Sequence, residues 1–301
     1  MQNETTFFLC VGTQKAGTTS LYNILKQHPN ICLPKDKETK FFLNDKYFNK
    51  GLSFYKNEFF ESCVDELLIG DIDPEYMYFE NIPERIYNTL GKDIKIIFIL
   101  RNPANRAYSH YLMNKRRGYE KEKFENSILL ESSRLEKNSF YKNHYSYIDR
   151  GFYSKQINNY LKYFQKKNMF FIVFEEDFIK NKQNTIKELL VFLNIDDKTN
   201  SLNLNIKSNQ ASVAKNKLIK ILLYNQSSIY KSVAKIIFPT RKLRKKVFDF
   251  FEKRNLQVID KQSQIKKLDE ETKKHIIQEY FLHDIRDLED IIHRDLSIWY
   301  K

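Results

Sequence analysis

Two clusters in this sequence have the residue types and the spacing needed to bind phosphate groups. The first, Gly12-Thr13-Gln14-Lys15-Ala16-Gly17-Thr18-Thr19-Ser20, follows an apolar run and precedes a helical pattern. Between a strand and a helix, backbone N–H groups point toward an anion, and Lys15 and the three hydroxyls add donors. The glycine spacing is G-x-x-x-x-G, but Thr18 stands where a nucleoside-triphosphate loop has lysine. The cluster therefore predicts a phosphate-like ligand without the usual magnesium–nucleotide arrangement.

The second cluster directly follows Ile94–Leu100, which is the strongest strand signal in the chain. Arg101 comes first, and Ser109 follows two helical turns further along. Open α/β sheets bind their ligands at the carboxyl ends of the strands. A guanidinium group can bind a phosphate through two parallel hydrogen bonds, and a serine hydroxyl can donate to the same group. We therefore predict that Arg101 and Ser109 bind a phosphate group.

These clusters require strands and helices that alternate along the chain. Apolar runs predict strands at Thr6–Val11, Leu67–Ile72, Ile94–Leu100 and Met169–Phe174. Amphipathic patterns predict helices at Thr18–His28, Pro83–Leu90, Ala104–Lys115, Tyr153–Gln165 and Asn184–Leu193, so we predict an α/β fold with a P-loop-like central parallel sheet flanked by helices.

After about Asn194 the strand signals fade. Helices are predicted at Leu218–Phe238, Leu243–Lys253 and Asp269–Leu288. No stretch rich in glycine, serine and proline separates this part from the rest. We therefore predict a single domain over 1–301, with a core over about 1–200 and a basic, helical C-terminal extension over about 205–301.

The composition excludes several classes of protein. With 42% hydrophobic and 30% charged residues, the chain is neither disordered nor a membrane bundle. Its apolar runs are shorter than the roughly 20 residues that span a bilayer, and its start does not resemble a secretory signal. Cys10, Cys32 and Cys63 lack the spacing of a zinc site or a disulfide framework. We therefore expect a reduced, cytoplasmic protein without a metal.

The net charge of +13 is concentrated in one segment. Residues 207–254 contain ten lysines and three arginines against Asp249 and Glu252, a net charge of +11. Such an excess favours an anionic partner, although a solvated helical face in a lysine-rich chain is an equally weighted interpretation. We predict contact with an acidic acceptor or an anionic membrane surface, and we expect no nucleic-acid binding because no nucleic-acid motif is recognisable.

The two phosphate motifs together resemble those of the sulfotransferases that use 3′-phosphoadenosine 5′-phosphosulfate (PAPS) as donor. Gln14–Leu21 looks like the family's 5′-phosphosulfate loop, and Arg101–Ser109 looks like its 3′-phosphate motif. Lys37–Phe42 is similar to the segment that supplies the catalytic glutamate in carbohydrate sulfotransferases, including the heparan-sulfate type. Gly70–Tyr76 resembles the segment that follows, and the ending Arg294–Trp299 resembles that of many bacterial members.

The resemblance implies how the residues divide the work. Lys15, Ala16, Gly17, Thr18, Thr19 and Ser20 would bind the 5′ end of the donor, and Arg101 and Ser109 its 3′-phosphate. Lys15 would also stabilise the leaving phosphate, and Glu38 would be the general base that accepts the acceptor's proton. The alternative is that Glu38 is one more charge in a lysine-rich loop. His110 is a weaker candidate for the base, and we expect His28 and His110 to be structural.

Three departures from the family pattern stand out. Ile72 replaces a lysine of the heparan-type enzymes. Asp71 and Asp73 replace a glutamate and a serine or threonine, which makes this segment more acidic. Both aspartates compete with Glu38 as candidates for the general base. No clear Lys-Gly-Arg-type loop for the 3′-phosphate is present, and Lys215 and the Arg241–Lys246 cluster are the candidates to replace it.

The expected activity is therefore transfer of the sulfuryl group of PAPS to a hydroxyl or amine of a carbohydrate or glycan precursor. One alternative is a P-loop kinase or nucleotide-binding protein, against which the displaced Lys15 and the missing magnesium-binding aspartate argue. The other alternative is a basic protein that binds nucleic acid or a membrane surface. Its only support is the basic segment 207–254.

Overall fold

The computed structural model describes residues 6–63, 68–206, 212–214, 236–237, 240, 243–244, 246–248, 250–251, 256–258 and 267–301. The chain divides into two compact units. The first comprises residues 1–107, 148–208 and 270–301, and the second comprises 108–147 and 209–269. A single domain over 1–301 stays a prediction.

The first unit contains a five-stranded sheet. Its strands are β1 (Thr6–Gly12), β2 (Ile31–Cys32), β3 (Leu68–Ile72), β4 (Lys95–Leu100) and β5 (Met169–Val173), in the order β2-β3-β1-β4-β5. All neighbouring strands are parallel. Side chains 8–11 of β1 are completely buried, as expected for a strand covered on both faces. The predicted α/β fold with a central parallel sheet and flanking helices is confirmed.

Each helix predicted over the first two thirds of the chain is present, with small differences at its ends. The described helices are α1 (Thr18–Leu25), α2 (Asp45–Phe48), α3 (Gly51–Phe60), α4 (Ile82–Leu90), α5 (Pro103–Arg117), α6 (Phe124–Leu129), α7 (Glu131–Leu135), α8 (Ser139–Tyr145), α9 (Tyr153–Leu161), α10 (Lys182–Phe192), α11 (Glu270–Ile276) and α12 (Leu282–Ile292). A π-helical turn, Ile277–Phe281, joins α11 to α12, and the predicted helical C-terminal region is present. The predicted helix Leu218–Phe238 lies almost entirely outside the described residues. Within the predicted helix Leu243–Lys253, the described residues 243–244, 246–248 and 250–251 are helical.

Two sequence-based expectations need correction. Strands do occur after Asn194, because β6 (Ser212–Ala214) pairs with β7 (Leu256–Val258) in an antiparallel arrangement within the second unit. Strands of three residues are too short to produce a recognisable pattern.

The expectation of a fully reduced chain is also wrong, because Cys32 and Cys63 form a disulfide. Their Cα atoms lie 5.7 Å apart, at the end of β2 and three residues beyond α3. A sequence separation of 31 residues gave no sign of this proximity. A cytoplasmic location stays a prediction, and the disulfide removes the cysteine argument for it.

Candidate active site

The loop between β1 and α1 forms the first part of the site. Gly17 precedes α1 with a φ of 95°, in the left-handed region that favours glycine. A Cβ atom at this position would lie 2.9 Å from the ring of Phe174. Glycine is therefore required here by the backbone conformation and by the close approach of the aromatic ring.

The predicted donor-binding residues of this loop, Lys15 to Ser20, lie on one continuous turn into the helix. Ala16 and Thr18 are buried, whereas Lys15, Thr19 and Ser20 are half-buried. The first N–H groups of a helix have no acceptor within the helix, so they can donate to an anion in front of it. The turn therefore has the donors that a phosphate-like group needs.

Arg101 is the residue that joins the two phosphate motifs. It follows β4 directly, and its Nη1 donates to the carbonyl oxygen of Lys15 at 2.7 Å. Its guanidinium carbon lies 5.2 Å from the ring centroid of Phe174. The Nε of Arg101 is buried and has no hydrogen-bond partner among the described residues. Burial lowers the pKa of Arg101 and nearby Glu175 opposes this effect. The structure thus places Arg101 against the Lys15 loop with a donor still to be satisfied.

The C-terminal segment holds the backbone next to Arg101. Glu175 accepts hydrogen bonds from the Asn102 N–H and from the Trp299 indole N–H, both at 3.1 Å. The side-chain amide of Asn102 in turn donates to the Trp299 carbonyl oxygen at 3.1 Å. Asn102 and Trp299 are buried. Sequence reasoning noticed the ending around Trp299 only as a resemblance and gave it no role at this loop.

Ser109 lies on α5, two turns beyond Arg101, and is half-buried. It belongs to the second compact unit, whereas Arg101 belongs to the first. Its role at the 3′-phosphate stays a prediction. The neighbouring His110 is completely buried, and its ring centroid lies 5.1 Å from that of Tyr147.

Glu38 lies in the loop between β2 and α2, between two lysines. One carboxylate oxygen lies 2.8 Å from Lys37 Nζ, and the other lies 3.2 Å from Lys40 Nζ. Burial alone would raise the pKa of Glu38, but Lys40 and Lys37 outweigh it and lower the pKa to about 2. About a third of the side chain, 36%, is exposed. Glu38 is therefore ionised at neutral pH and reachable from outside.

An aromatic cluster anchors this loop. Phe41 and Phe42 are completely buried, with ring centroids 5.0 Å apart. Phe41 also stacks on Tyr55 at 4.3 Å. Because the loop is fixed to the core three residues after Glu38, the carboxylate has limited freedom.

The other acidic candidates, Asp71 and Asp73, are enclosed by the protein. One carboxylate oxygen of Asp71 accepts from the hydroxyls of Thr39, Tyr55 and Tyr76, at distances of 2.6, 2.9 and 3.1 Å respectively. Both aspartates are completely buried, and burial raises the pKa of each, that of Asp73 to about 7. Neither carboxylate is open to an acceptor, so they differ from Glu38 in what they can touch.

Two further charged residues join this cluster, and sequence reasoning gave neither a role. Lys40 Nζ lies 2.9 Å from Asp73 Oδ1 and 3.0 Å from Glu75 Oε2. Glu75 also accepts a hydrogen bond at 3.4 Å from the side-chain amide of Gln14, which lies in the first phosphate loop. In a lysine-rich loop no sequence signal distinguishes Lys40 from its neighbours. The contact with Gln14 connects the Glu38 cluster to the phosphate loop.

His28 is structural, as expected. It is buried, its Nε2 lies 3.1 Å from the carbonyl oxygen of Asp196, and its Nδ1 accepts from the N–H of Asn30 at 3.2 Å.

In the described part of the chain, no helix has both the length and the apolar character needed to cross a membrane.

The sulfotransferase domain family matches residues 5–235, which is most of the chain. The match includes both phosphate motifs and the Glu38 loop. The chain therefore belongs to the sulfotransferase domain family.

Among curated proteins, the chain is similar to a membrane-associated sulfotransferase, kil1, of Dictyostelium discoideum. They are 36% identical over 106 residues, which is 35% of this chain and 22% of that protein. This chain is also similar to the human heparan sulfate glucosamine 3-O-sulfotransferase 3B1. They are 28% identical over 171 residues, which is 54% of this chain and 40% of the human enzyme. The aligned part is thus well under two thirds of the length of either relative.

Among solved structures, the chain is similar to a sulfotransferase from Alicyclobacillus acidocaldarius. The TM-score is 0.64 with 23% sequence identity, and the match covers 99% of each chain. This likeness shows that the two proteins share a fold.

Proposed function

We propose that this protein transfers the sulfuryl group of PAPS to a hydroxyl or amine of a carbohydrate or glycan-precursor acceptor. The hydrogen bond from Arg101 to the Lys15 carbonyl oxygen carries the proposal, because it joins the two phosphate motifs at the carboxyl edge of the sheet. Membership of the sulfotransferase family supports the reaction type. The carbohydrate acceptor is inferred from the human relative, whose name gives heparan sulfate glucosamine as its substrate.

The donor's phosphates fit the residues that are present. The unsatisfied, buried Nε of Arg101 is a cationic donor suited to an anion beside the Lys15 loop. Lys15, the N–H groups at the start of α1 and the hydroxyls of Thr18, Thr19 and Ser20 would stabilise negative charge as it grows on the leaving phosphate. PAPS supplies the sulfuryl group and leaves as adenosine 3′,5′-bisphosphate.

Glu38 is the proposed general base. It is ionised at neutral pH, partly exposed and held at the edge of the phosphate loop through Lys40, Glu75 and Gln14. A carboxylate in this place can accept the proton that the acceptor hydroxyl loses while its oxygen bonds to sulfur. Asp71 and Asp73 lack the exposure for this role.

The proposal is tested by incubating the protein with radiolabelled PAPS and a panel of sugar acceptors. We expect label in the acceptor with equal rates in EDTA and in magnesium, because the loop lacks the G-K-[ST] order that binds magnesium–nucleotide. Calorimetric titrations compare adenosine 3′,5′-bisphosphate, ATP and an oligonucleotide, of which the first should bind tightest. Activity that needs magnesium and ATP would instead support the kinase alternative.

The location and surface contacts belong to the same proposal. We infer a cytoplasmic enzyme whose segment 207–254 contacts an acidic acceptor or an anionic membrane. The exposed side chains of Ile236, Ile237 and Phe250 support surface contact, because apolar groups beside lysines suit a membrane interface.

A further inference from the structure

Lys40 provides a cation that the proposed reaction leaves without a role. Its ammonium group lies between three carboxylates: Asp73 at 2.9 Å, Glu75 at 3.0 Å and Glu38 at 3.2 Å. A lysine ammonium has three N–H donors, so one can be directed at each carboxylate. Asp73 is completely buried, whereas Glu38 and Glu75 are partly exposed. Lys40 therefore ties the exposed carboxylate of Glu38 to a fixed point inside the protein.

We propose that Lys40 is a positioning residue, which sets the place and direction of the Glu38 carboxylate relative to the phosphate loop. This inference rests on the proposed function of Glu38. The connection to the phosphate loop runs from Lys40 to Glu75, whose other carboxylate oxygen accepts from the Gln14 side chain at 3.4 Å. The donor side and the acceptor side of the site are thus linked through one ammonium group.

The backbone supports this role. Glu38 and Lys40 have φ values of 68° and 58°, in the left-handed region that non-glycine residues rarely adopt. The strained turn is held by two hydrogen bonds: the Lys40 N–H donates to Asp73 Oδ2 at 3.1 Å, and the Thr39 hydroxyl donates to Asp71 at 2.6 Å. Strain of this kind persists only where the surroundings enforce it, and it is concentrated at functional sites.

The charges around Glu38 explain why the cation must be at Lys40. Ile72, the last residue of β3, is completely buried and brings no charge to this strand end. Of the carboxylates in the cluster, Lys37 forms an ion pair with Glu38 only. The charge of Arg150 lowers the pKa of Glu75. Without Lys40, the carboxylates of Glu38 and Glu75 would repel each other, and the pKa of buried Asp73 would rise further. Glu38 would then swing outward, away from the phosphate loop.

The decisive experiment compares Lys40→Met with Lys37→Met, each alone and combined with Glu75→Gln. Lys40→Met should lower kcat about 10- to 100-fold while the affinity for adenosine 3′,5′-bisphosphate stays within about 3-fold, since the phosphates are held elsewhere. Glu75→Gln should cost several-fold in kcat in the wild type and in Lys37→Met. In Lys40→Met it should cost nothing or restore activity, because it removes an uncompensated carboxylate.

A second measurement does not depend on activity. The pKa of Glu38, followed by NMR of labelled carboxyl carbons and assigned with Glu38→Gln, should rise in Lys40→Met and return toward the wild-type value in Lys40→Arg. The acid limb of the kcat–pH profile should move in the same direction. Thermal unfolding identifies any variant that does not fold. If Lys40→Met does not fold, Lys40→Arg and Glu75→Gln are used for the same measurements.

Three results would overturn the positioning role of Lys40. The first is an unchanged kcat and an unchanged Glu38 pKa in folded Lys40→Met. The second is a loss of kcat from Glu75→Gln that is the same in the wild type, in Lys37→Met and in Lys40→Met. The third is a loss of nucleotide affinity of more than about 10-fold in Lys40→Met. The last result would make Lys40 a donor ligand. If the wild type transfers no sulfuryl group, the proposed function fails, whereas the NMR titration still reports whether Lys40 controls Glu38.

Discussion

At the scale of single residues, burial and neighbouring cations separate four carboxylates that look alike in the sequence. Burial raises the pKa of Asp71 and of Asp73. Burial acts in the same direction on Glu38 and Glu75, but neighbouring cations together outweigh it, namely Lys40 and Lys37 at Glu38 and Lys40 and Arg150 at Glu75. The pKa of each carboxyl group is therefore lowered. Three of the four carboxylates contact Lys40, and the side chain of Glu38 is the most exposed of these three. A charged, reachable carboxylate is what proton acceptance from a bound acceptor requires.

Replacing Glu38 by glutamine tests the general base. The amide keeps the shape of the side chain but cannot accept a proton, so kcat should fall about 10²- to 10⁴-fold. Nucleotide affinity should stay within a few-fold of the wild type. Steady-state kinetics and calorimetry measure the two quantities, with Asp71→Asn, Asp73→Asn and His110→Asn in parallel. Near-normal kcat in Glu38→Gln together with collapse in one of the others would move the role to that residue.

The low pKa of Glu38 also predicts a pH dependence of stability. In the folded protein the pKa is about 2, compared with 4.5 for an unperturbed glutamate. The unfolded chain therefore binds this proton more tightly, so ionised Glu38 stabilises the fold above pH 4.5 and the contribution is lost as the pH falls toward 2. In urea unfolding, the stability difference between wild type and Glu38→Gln should shrink below pH 4.5. A difference that does not vary with pH would contradict the pairing with Lys37 and Lys40.

Replacing Lys15 or Arg101 by alanine tests the phosphate motifs. Each variant should weaken binding of adenosine 3′,5′-bisphosphate by about 1.5–3 kcal/mol, the usual worth of a hydrogen bond to a charged group. Lys15→Ala should also lower kcat, because charge on the leaving phosphate grows in the transition state. Lys92→Ala is the matched control, since Lys92 is exposed and precedes β4 at the opposite edge of the sheet. Wild-type affinity in both test variants would show that the phosphates bind elsewhere.

Sequence reasoning could anticipate only part of the site. The proximity of Lys15 and Arg101 could be predicted, because Arg101 directly follows one strongly apolar strand and Lys15 stands three residues after another. At the end of a parallel strand, position in the chain implies position in space. The role of Lys40 and Glu75 could not be predicted, because it depends on a contact between segments more than thirty residues apart. Asp71 is a competing candidate for the base in the sequence, and only the structure shows that three hydroxyl donors enclose one of its carboxylate oxygens.

At the scale of elements, the length of each segment decided whether the sequence could reveal it. Strands β1 and β4 have seven and six residues, each contains five consecutive apolar residues, and both were predicted within one residue at each end. Strand β2 has two residues and α2 has four, which is too few for a period to show. Their places depend on pairing with β3 and on the aromatic packing of Phe41 and Phe42, neither of which is a local property.

The disulfide between Cys32 and Cys63 gives a prediction for these short elements. It joins the end of β2 to the residues after α3. Closing a loop of this size stabilises a protein by about 3–4 kcal/mol in the chain-entropy description. The double variant Cys32→Ser, Cys63→Ser should therefore unfold at lower urea concentration than the oxidised wild type. A reductant should lower the stability of the wild type and leave the variant unchanged.

The third cysteine, Cys10, should not interfere with this comparison. Cys10 is completely buried in β1, and burial raises its pKa to about 12. It should therefore not exchange with the reagents used. Equal stability of the oxidised and reduced wild type would show that the bridge contributes little to the fold.

At the scale of the whole molecule, the charge distribution is the property that the site does not explain. Residues 207–254 carry +11 of the total of +13. One bisphosphate nucleotide has far too little charge to require this, and Arg101 already lies at the phosphate loop. Several described apolar side chains of the segment, among them Leu243 and Phe251, are exposed. The proposed anionic partner, either an acidic acceptor or a membrane surface, would account for the charge, and a membrane surface would also account for the exposed apolar side chains.

Replacing Lys242, Arg244, Lys245 and Lys246 together by glutamine tests this segment. Long-range attraction between the segment and an anionic acceptor should weaken, so the acceptor KM should rise and its dependence on salt should become less steep. Donor affinity should stay nearly unchanged, and co-sedimentation with vesicles containing anionic lipid separates the membrane from the acceptor as the partner. Wild-type acceptor kinetics together with unchanged vesicle binding would leave the charge as a solvated helical face. A large loss of affinity for adenosine 3′,5′-bisphosphate would instead mean that this cluster supplies the 3′-phosphate contacts for which the sequence offered no clear loop, and Arg101 would then share that phosphate with it.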